Sequence, residues 1–253
     1  MLKRRIIPVQ LLLNGRLVKT VRFLDWRDVG DPVKSAAVYN SQYADELILL
    51  NIDRDHRSVK PLAELLHQIA EVCFMPLSVG GGTRSFDDAA FLIQNGADKV
   101  VINSSAYTDR GMLSRIADRF GVQAVVVAID ARRGADGGYE ALSNCARQVE
   151  PVPIEAHIRA CQAAGAGEFL IQSIEQDGTM EGFDLDLLRL ACAVATVPVI
   201  GCGGSGQYNH LKDAFLQTEV SALACGSLFN FSDSNPLRAK AFLSNYGLQF
   251  KMV

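Results

Sequence analysis

Two carboxylates and two glycine clusters occupy positions in this sequence where chemistry can be done. Asp130 ends the apolar run AVVVAID (124–130), and Asp177 lies in EQDGT (175–179) just past another apolar run. A carboxylate partly buried at a strand end has its pKa moved toward neutrality and can act as a general acid or base. A helix cap or a loop salt bridge is the structural alternative for either one. Gly80-Gly81-Gly82 and Gly203-Gly204 also follow apolar runs. Glycines let backbone N–H groups approach an anion closely, so both clusters read as phosphate cradles. Asn103-Ser104 and Gly226-Ser227 would complete them, and two related cradles suggest a phosphorylated ligand with a phosphate at each end. Asp53, Asp55 and His56 in DRDH either join this region or form a solvated loop. His56, His67, His157 and His210 lack metal-ligand spacing, so no metal is expected. Cys202 stands beside the second cradle, with no evident base to activate it.

Eight short apolar runs position these residues. They are 5–9, 46–51, 76–80, 99–103, 124–130, 168–172, 198–202 and 221–225, most of them rich in Val, Ile and Leu. Such runs suit parallel strands covered on both faces. Amphipathic stretches at 61–72, 87–97, 112–121 and 154–167 alternate with them, and Gly96, Gly121, Gly165 and Gly167 fall where a helix needs a left-handed terminus. Eight such units predict a single (β/α)₈ barrel over residues 1–253, in the α/β class. Residues 78–107 and 200–229 share the order strand, Gly-Gly, helix, strand, small polar loop, which predicts an internal half-barrel repeat. In such a barrel the active site lies at the C-terminal ends of the strands, where the carboxylates and glycines fall.

Composition narrows the classes of function. A net charge of −3 gives no basic field for nucleic acid or an anionic membrane. No apolar run reaches the ~20 residues of a spanning helix, and MLKRRIIPVQLLLNG reads as a first strand rather than a signal peptide. Six cysteines without CxxC spacing read as reduced thiols, which points to a cytoplasmic protein.

The chain resembles the cyclase subunit of imidazole glycerol phosphate synthase, a HisF-like barrel of histidine biosynthesis. The resemblance runs through RRII, NGRLVK, GDPV (30–33), DELILLNID (45–53), SVGGG, GADKVVIN (96–103), QAVVVAID (123–130), GAGEFLIQSIEQDGT (165–179) and GCGGSG. It implies a lyase of the glutamine amidotransferase type that closes a ring on a bisphosphorylated ribotide, using ammonia from a glutaminase subunit, with no cofactor. It also implies two catalytic aspartates. Asp130 matches one. The other position, in a pattern like C-L-D-V-K-x-G, holds Leu11, which can neither give nor take a proton. Gln10 would face the outer helices, and Asn14 is not an acid. Asn51, Gln172 and Cys202 replace an aspartate, a threonine and a serine of the family, and the stretch 140–151 lacks its glycine-rich ligand segment. Lys19 matches a family lysine that reaches the ligand, and Trp26 lies in a loop that would lid the mouth. At the opposite end, Arg5, Glu46, Lys99 and Glu168 match the family's ammonia gate, and Asp98 matches a residue that contacts the glutaminase.

The resemblance leaves three functions open. PVQLLLNGRLVKTVRF (8–23), DVGDP and DGTMEGFDLDLL look like a branch associated with amidation of surface-polysaccharide sugars. That branch implies a glutaminase partner and a separate ATP-dependent sugar amidotransferase, since the chain has no Walker A loop. A genuine cyclase running with Asp130 is the alternative, although loss of one acid/base partner costs a factor of about 10²–10⁴ in rate. A non-catalytic scaffold that docks the glutaminase is the third.

Overall fold

The computed structural model describes residues 3–53 and 58–251. Asp55 and His56 lie outside the described residues. Eight parallel strands form a closed barrel: β1 (Arg5–Leu13), β2 (Leu47–Asn51), β3 (Leu77–Gly80), β4 (Lys99–Ile102), β5 (Val125–Arg133), β6 (Glu168–Ser173), β7 (Val199–Cys202) and β8 (Ala222–Cys225). Each pairs with its successor, and β8 pairs with β1, which abolishes free edges and shuts the ring. The chain is thus a (β/α)₈ barrel, as the eight apolar runs predict.

Strand alternation sorts the apolar side chains into two layers. Ile7, Val9, Ile48, Val101, Val126, Ala128, Leu170, Ile200 and Ala224 fill the lumen. Residues of opposite parity, such as Ile6, Leu49, Val127 and Phe169, pack under the helices. Gln10 belongs to the outward set, is 2% exposed, and among the described residues neither polar atom of its amide finds a partner. Its burial leaves it unable to substitute for an acid in the mouth.

The helices begin where their caps dictate. Asp31 accepts from Lys34 N–H before Pro32, and Ser85 with Asp88 makes a reciprocal capping box ahead of Phe86–Gln94. Gly96, Gly121 and Gly165 have positive φ, as their places predict. Gly167 does not. It is required for space, because a Cβ there would collide with the Val122 carbonyl.

Two antiparallel hairpins rise from the C-terminal face where loops are expected from the sequence. Arg16–Thr20 pairs back on β1 and with Trp26–Gly30. Tyr139–Ser143 pairs with the end of β5 and with Gln148–Glu150. Lys19 therefore stands on a strand, and the stretch 140–151 is largely a hairpin. No helix among the described residues is long and apolar enough to cross a membrane.

Candidate active site at the barrel mouth

The two glycine cradles share one backbone conformation. Gly81 and Gly82 have φ of 89° and 84°, and Gly203 and Gly204 have 95° and 101°. Only glycine adopts such angles without strain. At Gly81 a Cβ would also strike the Asn51 backbone, and at Gly204 the Gly182 carbonyl. Asn103-Ser104 and Gly226-Ser227 lie beside their respective cradles, each opening a short helix.

The cradles open onto unequal spaces. A cavity of about 560 Å³ occupies the mouth, within the range of small-molecule sites. Gly81, Gly82, Asn103 and Ser104 line it, along with Asp130, Asp53 and Gln172. Leu11, Leu50, Val101, Ala128 and Leu170 contribute apolar walls, and Phe23, Leu24 and Trp26 line it from the hairpin. Gly203, Gly204, Gly226 and Ser227 face a separate space of about 20 Å³, together with Lys19, Asp177 and Cys202.

Asp130 is 9% exposed and accepts one hydrogen bond, from Asn103 Nδ2 at 2.8 Å. Burial raises its pKa to about 7, the nearby Asp177 charge adds to this, and the Asn103 bond opposes it. A carboxyl poised near neutrality can both give and take a proton. Leu11 is 7% exposed and lines the same cavity, so an apolar side chain stands where the resemblance requires an acid. Asp53, in the loop after β2, does enter the site, and its N–H donates to Asn51 Oδ1 at 3.1 Å.

Asp177 is brought near Asp130 but is engaged elsewhere. Its Oδ2 accepts from Thr20 Oγ1 at 2.7 Å and from Phe23 N–H at 3.2 Å. Burial raises its pKa, while those two bonds and the Lys19 charge pull the other way. Lys19, on the first hairpin, is 6% exposed and donates to the Val9 carbonyl. Burial lowers its pKa to about 8, against the pull of Asp177. Cys202 is buried, which pushes its thiol well above the usual range and makes it a poor nucleophile.

At the N-terminal end, Arg5, Glu46, Lys99 and Glu168 close a ring across the lumen. Arg5 pairs with Glu46 at 2.8 Å and with Glu168. Lys99 pairs with Glu46 at 2.8 Å and with Glu168 at 2.9 Å. Ser78 Oγ donates to the remaining Glu46 oxygen at 2.5 Å. Burial alone would raise Glu168, but Arg5 and Lys99 outweigh it and hold its pKa low. Asp98 is exposed on the same face and accepts from Leu77 N–H at 2.8 Å, so part of its carboxylate secures β3.

His157, one of the four histidines without metal-ligand spacing, is fully buried and stacks on Tyr107 with ring centroids 3.8 Å apart. Burial lowers its pKa to about 4, so it stays neutral. Sequence reasoning missed Thr20, Thr83 and Arg84. Thr20 ties the hairpin to Asp177, whereas Thr83 and Arg84 line the large cavity beside the first cradle. The run GGGTR carries a signal for the last two, since it continues directly from the glycines. Nothing local marks Thr20.

Residues 5–234 match the histidine biosynthesis protein family. The chain is 41% identical, over the whole of both chains, to a protein of Hyphomonas neptunium named imidazole glycerol phosphate synthase subunit HisF. With the closed barrel, paired glycine cradles and Asp130 already in place, these matches show that the chain belongs to the histidine biosynthesis protein family and is HisF-like.

Proposed function

We propose that this barrel pairs with a glutaminase and receives ammonia at its N-terminal face, for amidation of a surface-polysaccharide sugar by a separate ATP-dependent amidotransferase. The observation that carries the reading is the contrast between the two ends of the barrel. The ring of Arg5, Glu46, Lys99 and Glu168 is complete, with every carboxylate bound to both cations. The mouth has Leu11 in place of an acid opposite Asp130. Neutral ammonia passing the ring would meet a lumen layer made mostly of aliphatic side chains before it reaches Asp130. Asp98, exposed beside the ring, is proposed to contact the glutaminase.

The mouth is proposed to bind a phosphorylated small molecule through the glycine cradles, with Lys19 as a cation at the second. Asp130 is the proton-transfer group there. The test is reconstitution with the glutaminase and amidotransferase from the same genome. Amidated sugar should form from glutamine only when this chain is present. Equal formation without it would defeat the reading. Glutamine hydrolysis stimulated by this chain with no transfer to the sugar would instead support the docking scaffold.

One observation favours a second reading, a working cyclase of histidine biosynthesis. Asp53 lines the same cavity as Asp130 and brings a second carboxylate into the mouth. Restored growth of a histidine auxotroph that lacks its own cyclase, abolished by Asp53→Asn, would establish this reading over the first. No growth would exclude it.

A further inference from the structure

Beside the charged ring at the base of the barrel lies a second, separate pair of charges. Lys240 stands on the buried face of the last helix, Pro236–Ser244, with Pro236, Ala239 and Leu243. Its ammonium donates to Asp45 Oδ1 at 2.9 Å and to the Tyr43 carbonyl at 2.5 Å. The two side chains are 6% and 5% exposed, so the ion pair is buried. Lysine is almost never buried without a partner, and apolar residues of similar volume would anchor a helix at least as well. A buried charge at this point calls for a reason beyond packing the helix.

That reason lies in the other oxygen of Asp45. Asp45 Oδ2 accepts from Ile6 N–H at 2.8 Å, and Asp45 N–H donates back to the Ile6 carbonyl at 3.2 Å. The paired register of β1 and β2 begins only at Val9 and Ile48, and below it this reciprocal clasp joins the two strands. Ile6 follows Arg5, and Asp45 precedes Glu46. The clasp therefore sets the relative height of the strands where the Arg5–Glu46 contact of 2.8 Å is made. Tyr43 shows that the segment is held from outside. It has φ of 55°, a strained angle for a bulky residue, and its ring is 46% exposed while its carbonyl is fixed by Lys240. Such angles persist only where the surroundings over-determine them.

We propose that Lys240 and Asp45 are positioning residues of the ring: the buried pair, acting from the last helix, fixes Ile6 against Asp45 and so aligns Arg5 with Glu46. The purpose of that alignment, an ammonia entrance kept in register, rests on the function proposed above for the ring. Loss of the Lys240 charge leaves the Asp45 carboxylate buried without its cation, so it must protonate or turn toward water. Either change weakens its bond to Ile6 N–H and lets Arg5 and Glu46 shift.

The full chain, without partners, is unfolded in urea as a double-mutant cycle of Lys240→Met and Glu46→Gln. Among the described residues the side chains of Lys240 and Glu46 have no hydrogen-bond partner in common, so purely local roles predict that their effects on the unfolding constant multiply. Positioning predicts that the double variant falls short of that product by about 5-fold or more, because the first substitution has already loosened the ring. Lys240→Met combined with Asp130→Asn, at the opposite end of the barrel, should multiply within about 2-fold. Should Lys240→Met fail to fold, Lys240→Met with Asp45→Leu removes both charges together and takes its place under the same criterion. Effects of Lys240 and Glu46 that multiply within about 2-fold would overturn the proposal. In the reconstituted amidation, Lys240→Met should lower the glutamine-driven rate about 3-fold or more relative to the rate with added ammonium salt. An unchanged ratio of the two rates, which a merely structural role gives, would overturn it too. A wild-type chain that supports no amidation would defeat the ammonia reading and leave the unfolding cycle to decide the positioning role.

Discussion

Asp130 is buried with a single hydrogen bond to its carboxylate among the described residues and a second acid nearby, so its ionised form is poorly supported. Its pKa in the folded chain, about 7, stands above the ordinary carboxylate range because of burial first and Asp177 second. A raised carboxyl contributes stability that is intact below about pH 4 and lost as pH climbs through 7, where a charge must be formed in a dry site. Asp130→Asn removes that dependence and keeps the shape. In urea melts at pH 5 and pH 8.5, the wild-type chain should lose about 2–4 kcal/mol more than the variant does. Parallel losses in the two proteins would mean that Asp130 is not raised. Leu11 fits the same picture, because a second acid facing Asp130 would raise both further. The leucine removes that conflict and the second proton-transfer group together.

At the scale of elements, what was legible in the sequence follows burial. The eight barrel strands are buried on two faces, so their Val, Ile and Leu runs stand out, and the glycines and Asp130 are found by following those runs to their ends. The hairpins are not legible this way. RLVKT and WRDVG mix charges with apolar residues, and Trp26, Arg27 and Asp28 are exposed, so no apolar run marks them as strands. Burial of Lys19 depends on contacts with Val9 and Gly226, remote in sequence, and the Thr20–Asp177 bond spans 157 residues. The cradle glycines show how local sequence and tertiary space differ. Gly96 has φ of 112° with open space around its α-carbon, whereas Gly81 has φ of 89° and the Asn51 backbone against it. Gly96→Ala should cost about 1 kcal/mol from the backbone angle alone. Gly81→Ala adds a clash with unyielding backbone and should cost about 3 kcal/mol or more. Thermal melts of the two variants compare them directly, and similar shifts would show that the β2 loop yields to the added methyl group.

The whole molecule is a tube with a charged closure at one end, a packed aliphatic middle and a polar chamber at the other. Glu46 and Glu168 are nearly inaccessible, 2% and 6% exposed at the side chain, and each depends on both cations. Breaking such a buried network strands a charge at a cost of about 3–5 kcal/mol, so the ring stabilises the fold only while it is complete. Above it the lumen is occupied by the buried inner layer of Ile7, Val9, Ile48, Val126, Leu170 and Ile200, a filled core rather than an open pore. Any ammonia must therefore pass by small displacements of side chains such as Val126, Ala222 and Ala224. Those positions are the place to obstruct it. Ala224 is 1% exposed and belongs to the lumen layer, so Ala224→Leu should overpack the lumen at a cost of about 1–3 kcal/mol. In the reconstituted amidation, this variant should lower the glutamine-driven rate about 10-fold or more, which is about 1.4 kcal/mol or more of added barrier. The rate with added ammonium salt, which reaches the acceptor from solution, should stay near the wild-type value. A glutamine-driven rate unaffected by Ala224→Leu in a folded protein would mean that ammonia does not travel through the barrel, and the complete ring at its base would then be a structural closure alone.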